Sequence, residues 1–199
     1  MSTTVSRTRS RTLTLVECAL MVALGTLLSF IKIIEMPFGG SITLLSMLPL
    51  VLISYRHGLS WGLMSGFVYS LIQMLLGFYA PPAGTVPAFI GVVLLDYVLA
   101  FTVLGAAWLF AKPFKNRLVG VIVGAAAVCF LRFVCSWISG AWLWGSYQEY
   151  YEWAIGLNVW VYSLIYNSNY MLPELILTSL GAGLLYKAAP KMFKEQKKV

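Results

Sequence analysis

The residues able to do chemistry in this 199-residue chain are few, and most interrupt apolar runs. In "CFLRFVCSWISGAW" (129–142), Arg132, Ser136, Ser139 and Gly140 fall at i, i+4, i+7 and i+8, so a helix would present them on one face. Asp96 and Tyr97 break "LLDYVLAFTVLG", and Tyr162, Asn167 and Asn169 break "VYSLIYNSNYMLP". An acid, a base, amides and ring faces suit non-covalent recognition of a polar organic molecule. Covalent catalysis is poorly served. His57 is the only histidine, in an "RH" turn at the opposite end of the spans from Ser136, so no base reaches a nucleophile. No His or Cys cluster has metal-ligand spacing and no Gly-Lys-Ser/Thr phosphate loop is present, so neither metal nor cofactor is expected. A transporter using ATP would have to borrow its ATPase.

The elements that must hold these residues follow from composition. Hydrophobic residues make up 60% of the chain and charged ones 11%, with a mean hydropathy of +0.83, which no water-soluble core of this length requires. The net charge of +7 does not point to nucleic acid, because Lys and Arg punctuate apolar runs and form no basic face. Cys18, Cys129 and Cys135 lie within apolar segments and are odd in number, which reads as buried thiols. The expected fold is an all-α integral membrane bundle of six helices, near 13–34, 42–55, 58–79, 88–111, 118–140 and 160–186. The second, about 14 residues long with Pro49, is short for a crossing and reads as kinked, re-entrant or sheltered. A basic segment (1–12), a transmembrane domain (13–186) and a basic tail (187–199) complete the organisation, with no cleaved signal.

With both termini cytoplasmic, twelve of the fourteen basic residues fall on the inner side, among them Arg7, Arg9, Arg56, Lys112, Lys194, Lys197 and Lys198; Glu35, Glu149 and Glu152 fall outside. Counting about 1.5 Å per residue, Asp96 lies about 12 Å below the outer boundary and Arg132 about 9 Å. Tyr162 and Asn167 lie at about 3 and 10 Å. Isolated charges at that depth cost about 2.5–3.5 kcal/mol each, so Asp96 and Arg132 are expected within interacting distance, lining a polar cavity. The alternative is an ion pair that only fixes helix register. Glu174 and Glu17 count nearer the inner side, as proton carriers or as helix-end and inter-subunit groups. The aromatic connection "AWLWGSYQEYYEWAIGLNV" (141–159) reads as a lid or as an interfacial belt. Ala19 and Ala23 form a small-xxx-small surface for packing within the bundle or against a partner. No internal repeat marks the inverted halves of a secondary transporter.

Several stretches resemble the thiamine-specific S-components of energy-coupling factor (ECF) transporters. They are the Ala19-xxx-Ala23 helix, "GGSITLLSMLPLVLISYRHGLSWG", "LLDYVLAFTVLG", "FLRFVCSWISGAW", "VYSLIYNSNYMLP" and the basic tail, of which the last three blocks before the tail are the most specific. The resemblance implies a six-helix subunit that captures a vitamin outside, joins a transmembrane T-component and two cytosolic ATPases, and rotates in the membrane to release its cargo. It assigns the binding acid to Asp96, the adjacent tyrosine to Tyr97, the paired base to Arg132, the stacking aromatic to Trp144 and the late polar pair to Tyr162 and Asn167. The T-component contact falls on Ala19 and Ala23. Thiamine's thiazolium and aminopyrimidine suit such a set, since aromatic faces hold a cation for about 0.5–2 kcal/mol each.

This chain has Ser136 where many S-components of this type carry a ring-stacking histidine, and its loop after Trp144 is longer. Ser136 is retained as a ligand-binding candidate. The alternatives are an S-component for a pyrimidine or thiazole precursor, and a stand-alone proton-coupled permease for a cationic small molecule. An intramembrane enzyme would need a base and nucleophile on one side.

Overall fold

The computed structural model describes residues 2–193, with side chains from Arg11 onward; the side chains of Arg7 and Arg9, together with Lys194, Lys197 and Lys198, lie outside the described residues. Five long helices and one small hairpin run in the order α1 (Ser2–Ser29), β1 (Lys32–Glu35), β2 (Ser41–Thr43), α2 (Leu48–Leu76), α3 (Val86–Ala111), α4 (Arg117–Trp142) and α5 (Val159–Ala188). Short 3₁₀ turns at Gly145–Tyr150, Glu152–Ala154 and Pro190–Phe193 fill the α4–α5 connection and follow α5.

α2 is two helices joined at an elbow. Gly58 has φ 82 and ψ −178, a conformation that L side chains rarely adopt, and it separates a ten-residue arm (48–57) from a longer one. Counted this way, the bundle has the six helical segments expected of it. The expected second span, however, is only that short arm, about 15 Å long and unable to cross a core of about 30 Å. Residues 42–47, assigned to that span by hydropathy, instead form β2 and the turn after it. Backbone that leaves the helix at membrane depth persists where protein shelters it, and the arm is buried from Pro49 to Tyr55.

Among the described residues, four stretches are long and apolar enough to cross a membrane: Arg11–Ser29, Leu48–Leu76, Val86–Ala111 and Arg117–Trp142. α5 has the length, at 30 residues, but carries Asn167, Ser168, Asn169 and Glu174 along its middle. Polar side chains cap three of the helices: Thr85 Oγ1 accepts from Ala88 N, Asn116 Oδ1 from Leu118 N, and Asn158 Oδ1 from Trp160 N.

Close helix approach in lipid depends on small residues. A Cβ on Gly62 would run into the carbonyl of Gly105, and one on Gly66 would meet the carbonyls of Phe101 and Thr102 at 2.9 Å, so the outer arm of α2 lies backbone to backbone on α3. Leu50, Val51, Leu104, Ala107, Val128 and Ala182 fill the buried centre. At one end the Tyr55 hydroxyl lies 3.2 Å from Val121 O, and its ring meets Phe193 at 5.6 Å. The elbow, the α3–α4 turn and the 190–193 turn therefore share that end, where Arg56, Lys112, Lys115, Arg117 and Lys191 collect. The hairpin and the aromatic connection occupy the other.

Candidate binding site

The residues singled out in three separate stretches surround one cavity of about 390 Å³, within the range of small-molecule sites. Asp96, Tyr97, Arg132, Ser136, Trp144, Tyr162 and Asn167 all line it. The cavity reaches further than α3, α4 and α5, taking Ser29 from α1, Tyr69 and Gln73 from α2, and much of the hairpin region.

Asp96 sits in the middle of a seven-residue π-helical segment, Val93–Leu99, within α3. Such wide turns recur at functional sites because they re-aim a side chain without ending the helix. Ser139 Oγ donates to Asp96 Oδ2 at 2.7 Å and Trp144 Nε1 donates to the same oxygen at 3.0 Å. Among the described residues no donor reaches Oδ1, which leaves that acceptor for a ligand. Tyr97, one residue on, is committed: its hydroxyl donates to Gly77 O at 2.8 Å and accepts from Tyr79 N at 3.1 Å, pinning the end of α2.

The expected Asp96–Arg132 ion pair is not formed; among the described residues no carboxylate lies within 4.0 Å of Arg132. Its Nη1 donates to Met47 Sδ at 3.1 Å and its guanidinium lies 4.5 Å from the Phe101 ring centroid. The nearly matching depths counted from sequence assume straight helices with shared boundaries. The π segment and the actual helix ends place Asp96 level with Ser139, seven residues beyond Arg132 and about 10 Å along α4. The two charges face the same cavity at different heights.

Gly140 lets α5 approach α4, since a Cβ there would meet Ser163 Oγ and Asn167 Nδ2. Asn167 is buried; its Nδ2 donates to Ser163 O at 2.9 Å and its Oδ1 accepts from Tyr170 Oη at 2.6 Å. Both ends of the amide are thus held by protein. Ser136 lines the wall without closing it.

The outer end is covered by rings. The hairpin tip carries Phe38, packed at tilted and edge-on angles against Tyr147, Tyr150 and Tyr151 of the long connection at 4.6, 5.3 and 5.7 Å between centroids. Tyr166 fixes this tip from α5: its hydroxyl accepts from Phe38 N at 3.3 Å and donates to Gly39 O at 3.0 Å. Tyr151 and Trp153 continue the layer onto Tyr162 at 6.1 and 5.7 Å. Gln148 braces the connection, donating to Ala154 O and Leu157 O at 2.6 and 2.7 Å. Burial raises the pKa of the Tyr151 phenol. Of the connection's rings, Trp144 and Tyr147 line the cavity, whereas Trp142, Tyr150 and Trp153 are exposed.

Glu174, read from sequence as a proton carrier or as a helix-end or inter-subunit group, lines the cavity. Its Oε2 accepts from Thr43 N at 2.7 Å and its Oε1 from Thr43 Oγ1 at 2.5 Å. The hairpin's descent into the bundle brings Thr43 to it, a feature that hydropathy hid by assigning 42–47 to a helix. Phe38, Tyr69, Tyr166 and Tyr170 were missed likewise; only "GG" at 39–40, where Gly40 has φ 91 and packs on the Tyr170 ring, signalled a turn. Glu17 is elsewhere, accepting from Arg56 Nε at 2.6 Å and lying 3.0 Å from His57 Nε2 at the basic end. Ala19 and Ala23 are exposed on α1; Gly25 is the small residue that packs inward, beneath Ser46 and Tyr69.

A multi-pass helical membrane protein with a ring-covered cavity in the half of the bundle opposite its basic end is the class these features define. Residues 15–194 match the family model described as "Thiamine transporter protein (Thia_YuaJ)", and the chain belongs to that thiamine transporter family, which is a family of transporters and not of enzymes. It is 33% identical over 196 residues to the thiamine transporter ThiT of Bacillus subtilis (strain 168), covering 92% of this chain and 95% of the relative. Identity to ThiT of Lacticaseibacillus paracasei is 27% over 203 residues, covering 90% and 89%. In fold it is similar to a solved structure of ThiT from Listeria monocytogenes, with a TM-score of 0.73, 22% identity and coverage of 93% of this chain and 99% of that one.

Proposed function

We propose that this chain is the thiamine-binding S-component of an ATP-driven ECF importer, taking its vitamin from the extracellular side into the cavity between α3, α4 and α5. The observation that carries this reading is the convergence of an acid with a free oxygen, Asp96 Oδ1, and an indole face, Trp144, on one ring-covered cavity. The aminopyrimidine amine would donate to Asp96, and the thiazolium would lie against Trp144 and the tyrosines of the cover. Arg132, Ser136, Tyr162 and Asn167 would complete the polar wall, with Tyr97 holding the α2–α3 connection beside it. Both termini would be cytoplasmic, because the basic residues of the described helix ends gather opposite the cavity mouth. Ala19 and Ala23, exposed on α1, would receive the T-component, and two ATPases would power release.

Titration of the purified chain in detergent with thiamine, read by fluorescence of its seven tryptophans, tests this without partners or ATP. A saturable change at one ligand per chain is expected. A flat signal at micromolar thiamine would count against the reading.

A further inference from the structure

Two acids and one guanidinium on three helices line the cavity: Asp96, Glu174 and Arg132. Lys32 and Glu35 also line the mouth, but they are half exposed and bonded to each other at 2.5 Å, so their charges cancel. Arg132 is opposed by no carboxylate within 4.0 Å among the described residues and rests on a thioether and a ring. Glu174 is 1% exposed. Its two oxygens accept from the Thr43 amide and hydroxyl, and Ser46 Oγ lies 2.6 Å from that hydroxyl, so the donors run toward the carboxylate. Taken as ionised, Glu174 accepts on both oxygens. All of these donors are neutral; they solvate the charge without cancelling it.

Two carboxylates against one guanidinium leave the cavity with one negative charge in excess. In a buried site that excess acts on a ligand well beyond contact distance. We infer that Glu174 determines the charge selectivity of this site: it supplies the excess charge that a permanent monocation balances. Asp96 orients the ligand's polar ring and Arg132 limits the excess to one. The inference rests on the thiamine-binding reading and adds a selection for charge beyond ring shape. Both Glu174 oxygens are already hydrogen-bonded to Thr43, and Glu174 acts on the cation through its field.

The test compares the affinities of thiamine and of the uncharged isostere in which a thiophene replaces the thiazolium ring. The ratio of the two reads charge selection alone. Glu174→Gln is expected to lower the preference for thiamine about tenfold, about 1.4 kcal/mol, chiefly by weakening thiamine. Thr43→Val, which cuts the hydroxyl tether and keeps the charge, is expected to weaken both ligands alike. Arg132→Met, which removes the opposing charge and does not depend on the Gln variant folding, is expected to raise the preference for thiamine. Equal weakening of both ligands by Glu174→Gln overturns the inference while leaving the binding site standing. So does an Arg132→Met preference that stays level or falls. A wild-type chain that binds neither ligand overturns the reading of the site and the inference with it.

Discussion

Asp96→Asn isolates the contact on which ligand recognition depends. The carboxylate has one oxygen, Oδ2, filled by Ser139 and Trp144 at 2.7 and 3.0 Å, and one, Oδ1, with no donor among the described residues. An asparagine of the same shape keeps its carbonyl toward those two donors, which places its amide nitrogen where Oδ1 had been. Against an aminopyrimidine amine, an acceptor is thereby exchanged for a donor. Loss of a hydrogen bond to a charged acceptor costs about 1.5–3 kcal/mol, and two donors left facing one another in a buried site cost about 1–3 more. The sum of about 2.5–6 kcal/mol corresponds to a rise in Kd of roughly sixtyfold to twenty-thousandfold. Isothermal titration of wild type and variant with thiamine measures it, and unfolding without ligand checks that the variant is intact. A Kd within about threefold of wild type would refute the assignment of Oδ1 to the ligand.

Four other outcomes follow from the geometry. Trp144→Phe keeps a ring but removes the Nε1 donor to Asp96; thiamine affinity should fall about tenfold, worth one charge-assisted hydrogen bond, and Trp144→Ala should lower it further by the same titration. Tyr166→Phe removes both hydroxyl contacts to the hairpin tip, about 1 kcal/mol each; stopped-flow fluorescence should show faster thiamine release, and an unchanged rate would mean the tip is not part of the cover. Glu17→Gln breaks the partly exposed pairing with Arg56 and His57 at the end far from the cavity. It should cost about 1 kcal/mol and about 3 °C in Tm while leaving thiamine affinity within twofold. Ala23→Trp enlarges an exposed position on α1; it should leave thiamine binding in detergent intact and abolish co-purification with the T-component, and undisturbed assembly would move the docking surface elsewhere.

What sequence reasoning reached and missed divides along physical lines. Polar residues that interrupt apolar helices are conspicuous because burying them is costly, and so Asp96, Arg132 and Asn167 could be gathered before any coordinates. Their relative heights could not. A ladder of constant rise ignores the π turn that carries Asp96 and the true helix starts, and it paired Arg132 with Asp96 when Ser139 holds that level. Hydropathy also cannot separate a buried strand and turn from a helix, so 42–47 was absorbed into a span, and the hairpin residues meeting Glu174 and Tyr166 went unseen. Gly58 directly follows the expected "RH" break between two spans, yet only its φ of 82 shows that the break is an elbow within one helix. Long-range contacts, such as Phe38 against Tyr147, leave no local signal at all.

The most direct test is an experimental structure of this chain with thiamine bound. It should show the aminopyrimidine amine within hydrogen-bonding distance of Asp96 Oδ1 and the thiazolium against the Trp144 ring. Thiamine seated outside this cavity, or inside it with Asp96 still unpaired, would contradict the account.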